Sequence, residues 1–169
     1  MPVPVPGGDW RIFKHLWSIF LVFAGGAFMQ RCVVIADDDP NIINLVKLRL
    51  GMARYNVVST GDATSAVDMV RAREPVAVIL DVQMPGGGMS ALSKIKSDPR
   101  LSALPVMMLT GERDPGTVMQ AMSNGANDYM VKPFNPDILL ERVSRLIRSS
   151  AMVWSSAAAV AVSGPVWEL

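Results

Sequence analysis

The sequence predicts an α/β domain: a doubly wound, five-stranded parallel sheet with helices on both faces. Two observations lead there. Five short apolar runs, Val33–Ala36, Tyr55–Ser59, Val76–Leu80, Leu104–Leu109 and Asp128–Val131, alternate with segments of helical period. Three of the intervening helices also open on the same signal, Asp39-Pro40, Asp114-Pro115 and Asn135-Pro136. In each pair the first side chain can cap orphan N–H groups, and proline at the first helical position gives up nothing by lacking its own.

The elements follow in order. Each strand is nearly all apolar, as a strand buried on both faces has no polar side to alternate. Asp62 caps the second helix without proline, and Ala63, Ala66, Val67 and Val70 repeat at i, i+3, i+4 and i+7. That helix should stop before Pro75, and Gly125 should follow the fourth. Leu139, Val143, Leu146 and Ile147 form the core stripe of the fifth. Strict strand–helix alternation requires right-handed crossovers, hence a parallel sheet covered on both sides.

The chain has 169 residues, enough for one well-buried domain and too few for two comfortable ones. Half of them are hydrophobic and 18% charged, which excludes a disordered tail or a solvated coiled coil. Sixteen basic against 15 acidic side chains leave +1, so no global field points to nucleic acid or an anionic membrane. Cys32 is the one cysteine and His15 the one histidine, which excludes an internal disulfide and a zinc site. Cys32 reads as a small buried hydrophobe at a strand entrance.

Composition divides the chain into an apolar extension over 1–30, the alternating domain over 31–148, and a Ser/Ala/Val-rich tail over 149–169 without an output domain. The uncharged run from Leu16 to Met29 is broken by Ser18 and Gly25-Gly26, and falls short of the roughly 20 residues a spanning helix needs. Three readings stand for this extension: residues that are non-native or dispensable before a start at Met29, a membrane or partner anchor over 10–29, and a signal peptide. The tail is expected to be a disordered or poorly packed appendage.

Ligands of doubly wound sheets sit beyond the carboxyl ends of the strands, where strand order reverses. There the first strand ends in Asp37-Asp38-Asp39, the third in Asp81, the fourth in Thr110 and the fifth in Lys132-Pro133. Carboxylates a few ångströms apart raise one another's pKa unless a cation lies between them. Oxygen ligands without imidazole or thiolate select magnesium or a similar hard ion. Lys132 adds a point charge and Thr110 a hydroxyl, both suited to phosphate oxygens. A carboxylate nucleophile, a metal, a cation and a donor are the equipment of phosphoryl transfer. Asp39 is read as a helix cap rather than a ligand.

Four stretches, Val33–Pro40, Val78–Pro85, Pro105–Thr110 and Gly125–Phe134, come in the order and spacing of one family. Over about 31–148 the chain resembles the receiver domain of two-component response regulators, in particular the single-domain chemotaxis type. The resemblance implies a flavodoxin-like sheet of order 2-1-3-4-5. It implies Asp81 as phospho-acceptor, loaded by a histidine kinase or phosphotransfer protein. It further implies Mg2+ held by Asp38, Asp81 and the Gln83 backbone carbonyl, with Asp37 acting through water. Lys132 would contact the phosphoryl group, Thr110 and Tyr129 would form the switch pair, and the bond to Pro133 would be cis. Gln83 and Glu112 stand where the family tunes phosphoryl lifetime.

A cytoplasmic switch follows, without direct nucleic-acid binding. Its output would pass to a protein partner or a second copy through the fourth helix, fifth strand and fifth helix. The chain departs from the family at Gly86-Gly87-Gly88, about one residue shorter than usual, which suggests more backbone freedom beside the site.

Two other chemistries compete. An aspartate-based phosphohydrolase needs a second Asp two residues after its nucleophile, where this chain has Gln83. An FMN carrier needs a phosphate loop where three aspartates stand. A degenerate receiver that serves as an unphosphorylated docking module is the stronger alternative.

Overall fold

The computed structural model describes residues 31–111 and 114–162, with side chains through residue 150. Residues 1–30 and Glu112, on which readings above rest, lie outside the described residues. Five strands, β1 Cys32–Ala36, β2 Asn56–Thr60, β3 Ala77–Asp81, β4 Val106–Thr110 and β5 Asp128–Val131, alternate with five helices. The helices are α1 Pro40–Met52, α2 Ala63–Arg73, α3 Gly88–Ser97, α4 Pro115–Ser123 and α5 Pro136–Val162. All pairings are parallel, in the order β2-β1-β3-β4-β5. The expected doubly wound fold is therefore present.

Period-2 alternation within each strand divides the core. Val34, Ala36, Val78, Leu80, Val106 and Met108 face α2, α3 and α4, joining Ala66, Val70, Leu92, Ile95 and Ala121. Val33, Ile35, Ile79, Met107 and Leu109 face α1 and α5, joining Val46, Leu50, Leu139, Val143 and Ile147. The predicted stripes on α2 and α5 are the buried faces of those helices.

The caps act as the sequence indicates. Asp39 accepts from the Asn41 N–H at 2.8 Å, Asp62 from Ser65 at 2.8 Å, Asp114 from Thr117 at 2.8 Å and Asn135 from Asp137 at 2.7 Å. The second helix ends at Arg73, with Glu74 turning into a left-handed conformation ahead of Pro75.

Three details differ from the sequence reading. The fifth helix does not stop near residue 148 but runs on to Val162. The Ser/Ala/Val run contains no helix breaker before Gly164-Pro165, and alanine is the strongest helix former. Strands β2, β3 and β4 begin one or two residues later than their apolar runs. Tyr55 donates its N–H to the Leu50 carbonyl at the end of α1, so it closes a helix instead of opening a ladder. Cys32 is only partly buried, and that burial pushes its thiol above the ordinary value, which keeps it protonated at neutral pH.

Candidate functional site: an acidic pocket at the switch point

Strand β1 sends the chain to β2 on one side and neighbours β3 on the other, so the order reverses at β1/β3. The register sets Ala36 beside Leu80 and therefore carries Asp37 and Asp81 side by side beyond the strand ends. Thr110 pairs with Val131, and the Lys132 N–H donates to the Thr110 carbonyl at 2.7 Å. Asp37, Asp38, Asp81, Thr110 and Lys132 thus share one edge of the sheet. The Lys132–Pro133 peptide is cis.

Three carboxylates meet there. Asp37, Asp38 and Asp81 each bring an oxygen within 4.8 Å of the others. Asp37 and Asp81 are buried and Asp38 is exposed at the mouth. Asp39 points away into its helix cap. Asp37 Oδ1 accepts from the Asp39 N–H at 3.0 Å, which fixes the plane of its carboxylate.

Lys132 is the counter-charge. Its Nζ lies 2.6 Å from Asp37 Oδ2 and 3.2 Å from Asp81 Oδ1. Burial pulls the ammonium toward neutrality, but the two carboxylates outweigh it and hold its pKa above the ordinary lysine value. For Asp81 burial is the leading influence. Lys132 opposes it and the Asp37 charge adds to it, and the carboxyl ends above the usual carboxylate range. Ionised Asp81 is therefore under-compensated.

The remaining charge argues for a metal. Three carboxylates against one ammonium leave two negative charges, the deficit a divalent ion fills. Asp37 Oδ2 and Asp81 Oδ1 are buried against Lys132 Nζ, and an ionised carboxylate offers about four lone-pair sites, so acceptor capacity is left beyond that contact. An all-oxygen donor set suits magnesium. The donors present fit that ion.

Thr110 is fully buried at the end of β4. Tyr129 packs its ring against the core layer containing Val106, Met108 and Ala126, and its buried hydroxyl has no hydrogen-bond partner among the described residues. Its backbone is held at both ends: the N–H donates to Asp128 Oδ1 at 2.8 Å and the carbonyl accepts from Arg142 at 3.1 Å.

Comparison with known proteins agrees with this geometry. The response regulator receiver domain profile matches residues 33–144. The chain belongs to that family. Receiver domains are phosphorylation-activated switches of two-component systems and bind Mg2+ at an acidic pocket of this kind. The transcriptional regulatory protein KdpE of Staphylococcus aureus is 34% identical over 116 residues, 68% of this chain and 49% of KdpE. The DNA-binding response regulator MtrA of Mycobacterium tuberculosis is 31% identical over 121 residues, 71% of this chain and 52% of MtrA. The receiver chain thus spans about half the length of these curated relatives.

Among solved structures, a putative response regulator from Chloroflexus aurantiacus superposes with a TM-score of 0.67 at 31% identity, covering 70% of this chain and 98% of that one. The chemotaxis response regulator CheY4 of Vibrio cholerae gives 0.66 at 28% identity, covering 70% and 99%.

Two structural roles in this receiver have no signal in the sequence. Lys96 of α3 donates to the carbonyls of Ser102 and Leu104 and to Asn127 Oδ1 at 3.1, 2.7 and 3.2 Å, tying α3 to the entrances of β4 and β5. In sequence it is one lysine on an amphipathic helix, indistinguishable from a solvated one. Gly88 belongs to the glycine run noted in the sequence, where its close approach to the Asp81 peptide leaves no separate signal.

Proposed function

We propose that Asp81 is the phospho-acceptor of this receiver domain. The observation that carries the reading is the single ammonium of Lys132 spanning Asp37 and Asp81, with Asp38 completing a carboxylate cluster at the switch point. An Asp81 carboxylate oxygen attacks phosphorus and the bond from phosphorus to the donor breaks. The donor's histidine nitrogen keeps that electron pair, and Asp81 becomes an acyl phosphate. Lys132 holds one of the new phosphoryl oxygens and the Thr110 hydroxyl donates to another, with Tyr129 following Thr110 as the switch aromatic. Asp38, Asp81 and the Gln83 carbonyl would hold Mg2+, with Asp37 acting through water, and the ion would supply neutralisation of the phosphoryl charge.

The donor is a histidine kinase or a phosphotransfer protein. The signal leaves through α4, β5 and α5 toward a protein partner or a second copy. DNA binding belongs by name to MtrA; the near-balanced charge of this chain assigns no nucleic-acid contact to the receiver itself. No helix among the described residues is long and apolar enough to cross a membrane. A cytoplasmic site of action fits the kinase partner.

The test is incubation with acetyl phosphate and Mg2+ followed by intact-mass measurement. One phosphate should add as an acid-stable, hydroxylamine-labile adduct, and Asp81→Asn should show none. Asp38→Ala should lose Mg2+ dependence, and full-rate adduct formation in that variant would remove Asp38 from the metal site. No adduct on the wild-type chain would favour the docking module.

A further inference from the structure

Three consecutive glycines after β3 suggest a loose loop, yet the structure has a tight one. Gly86 and Gly87 take left-handed φ values of 81° and 74°. They reverse the chain so that the Gly87 N–H donates to the Met84 carbonyl at 2.8 Å and the Gly88 N–H to the Val82 carbonyl at 3.1 Å. Gly88 then opens α3 directly against the peptide that carries Asp81.

A Cβ on Gly88 would overlap the Asp81 carbonyl oxygen, stand 2.8 Å from its carbonyl carbon and 3.1 Å from Val82 Cα. These neighbours are backbone atoms, so no side chain can turn aside to make room. Helix α3 cannot readily retreat. Ala91, Leu92 and Ile95 are fully buried, and Lys96 anchors its far end on three acceptors. The end of β3 would have to yield, although the Val82 N–H is bonded to the Leu109 carbonyl at 2.8 Å. The Asp81 carboxylate and the Gln83 carbonyl sit on that yielding stretch.

We propose that Gly88 is a positioning residue for metal binding and phosphoryl transfer. Its missing side chain lets α3 close on the Asp81–Val82 peptide and sets the Asp81 carboxylate and Gln83 carbonyl in register with Asp38. This rests on the reading of Asp81 as acceptor. The neighbouring glycine supplies an internal contrast. Gly87 also needs a left-handed backbone, but a Cβ there would meet nothing within 4 Å. Gly87→Ala therefore strains the turn without touching Asp81, whereas Gly88→Ala presses on it.

The experiment compares wild type, Gly87→Ala and Gly88→Ala by Mg2+ titration of backbone amide shifts, which needs no turnover, and by adduct rate at saturating Mg2+. Thermal melts are recorded for each. Gly87→Ala should keep Mg2+ affinity within about twofold. Gly88→Ala should need roughly tenfold more Mg2+ and form adduct at least about tenfold more slowly, since displacements near 1 Å in a reacting site carry up to about a hundredfold. A folded Gly88→Ala with wild-type affinity and rate overturns the proposal, as does an equal loss in Gly87→Ala.

Should Gly88→Ala fail to fold, the wild-type titration decides. The Gly88 amide should move on the same Mg2+ curve as Val82 and Gln83 while Gly51 stays still; an unmoved Gly88 overturns the proposal. Absence of adduct on the wild type would strike the acceptor assignment instead, and the Mg2+ titration would still decide the role of Gly88.

Discussion

Replacing Lys132 with methionine removes the positive charge from the pocket and keeps most of the side-chain volume. The ammonium stands 2.6 Å from Asp37 and 3.2 Å from Asp81, whose side chains are 0% and 4% exposed. At an effective dielectric constant of about 20, each contact gains roughly 5–6 kcal/mol of direct attraction. Most of that repays the removal of three charged groups from water, so the clamp adds little net stability. Breaking it is another matter. Two buried carboxylates are left facing each other, and loss of one partner of a buried pair costs about 3–5 kcal/mol.

Lys132→Met should lose that amount in urea unfolding at pH 7 in the presence of EDTA. Two treatments should return part of it. Mg2+ would supply positive charge to the same carboxylate cluster. Acid does so by protonating Asp81. Its folded-state pKa lies above the unfolded value, so its ionisation weighs on the fold as pH rises through the folded pKa and is relieved below the unfolded one. The gap between variant and wild type should therefore narrow as pH falls. A variant within about 0.5 kcal/mol of wild type in EDTA would refute the reasoning. So would a loss indifferent to both Mg2+ and pH.

The helix caps titrate with the opposite sign. Backbone N–H groups of Ser65 and Thr117 hold the Asp62 and Asp114 carboxyls below the usual range, so their contribution is present above the unfolded pKa and is lost as pH falls through the depressed folded values. The double variant Asp62→Asn, Asp114→Asn should show a flatter Tm profile than wild type below about pH 4, where free carboxyls protonate; parallel profiles would speak against the caps. Lys96→Met strips a donor from the partly buried Leu104 carbonyl and from Asn127, and should cost about 1–3 kcal/mol in urea unfolding. A loss under about 0.5 kcal/mol would show that water replaces the ammonium there.

Much of this protein is written in local chemistry. Period and caps mark α2 and α5 because burial on one helical face and the satisfaction of four N–H groups are demands a short segment states by itself. The strand runs are visible for a similar reason, but their limits shift. Apolarity records burial, whereas a ladder records pairing, and Tyr55 and Leu104 are apolar without pairing. The Ser/Ala-rich tail shows no apolar period that would mark a packed element, yet helix propensity carries α5 through it to Val162.

The site divides along the same line. Asp37, Asp38, Asp81, Thr110 and Lys132 are legible in the sequence because strand ends of a doubly wound sheet must converge. That Lys132 lies against Asp37 more closely than against Asp81 depends on side-chain packing that no spacing reveals.

By itself, the sequence determined the sheet, its covering helices and the five polar residues at one edge, since periodicity and strand-end position are properties of neighbouring residues. Packing between elements is what leaves the Asp81 charge under-compensated, anchors α3 through Lys96 and denies Gly88 room for a methyl group. Those facts depend on atoms brought together from different elements, and close approach of backbones leaves no signature in the chain beyond a glycine.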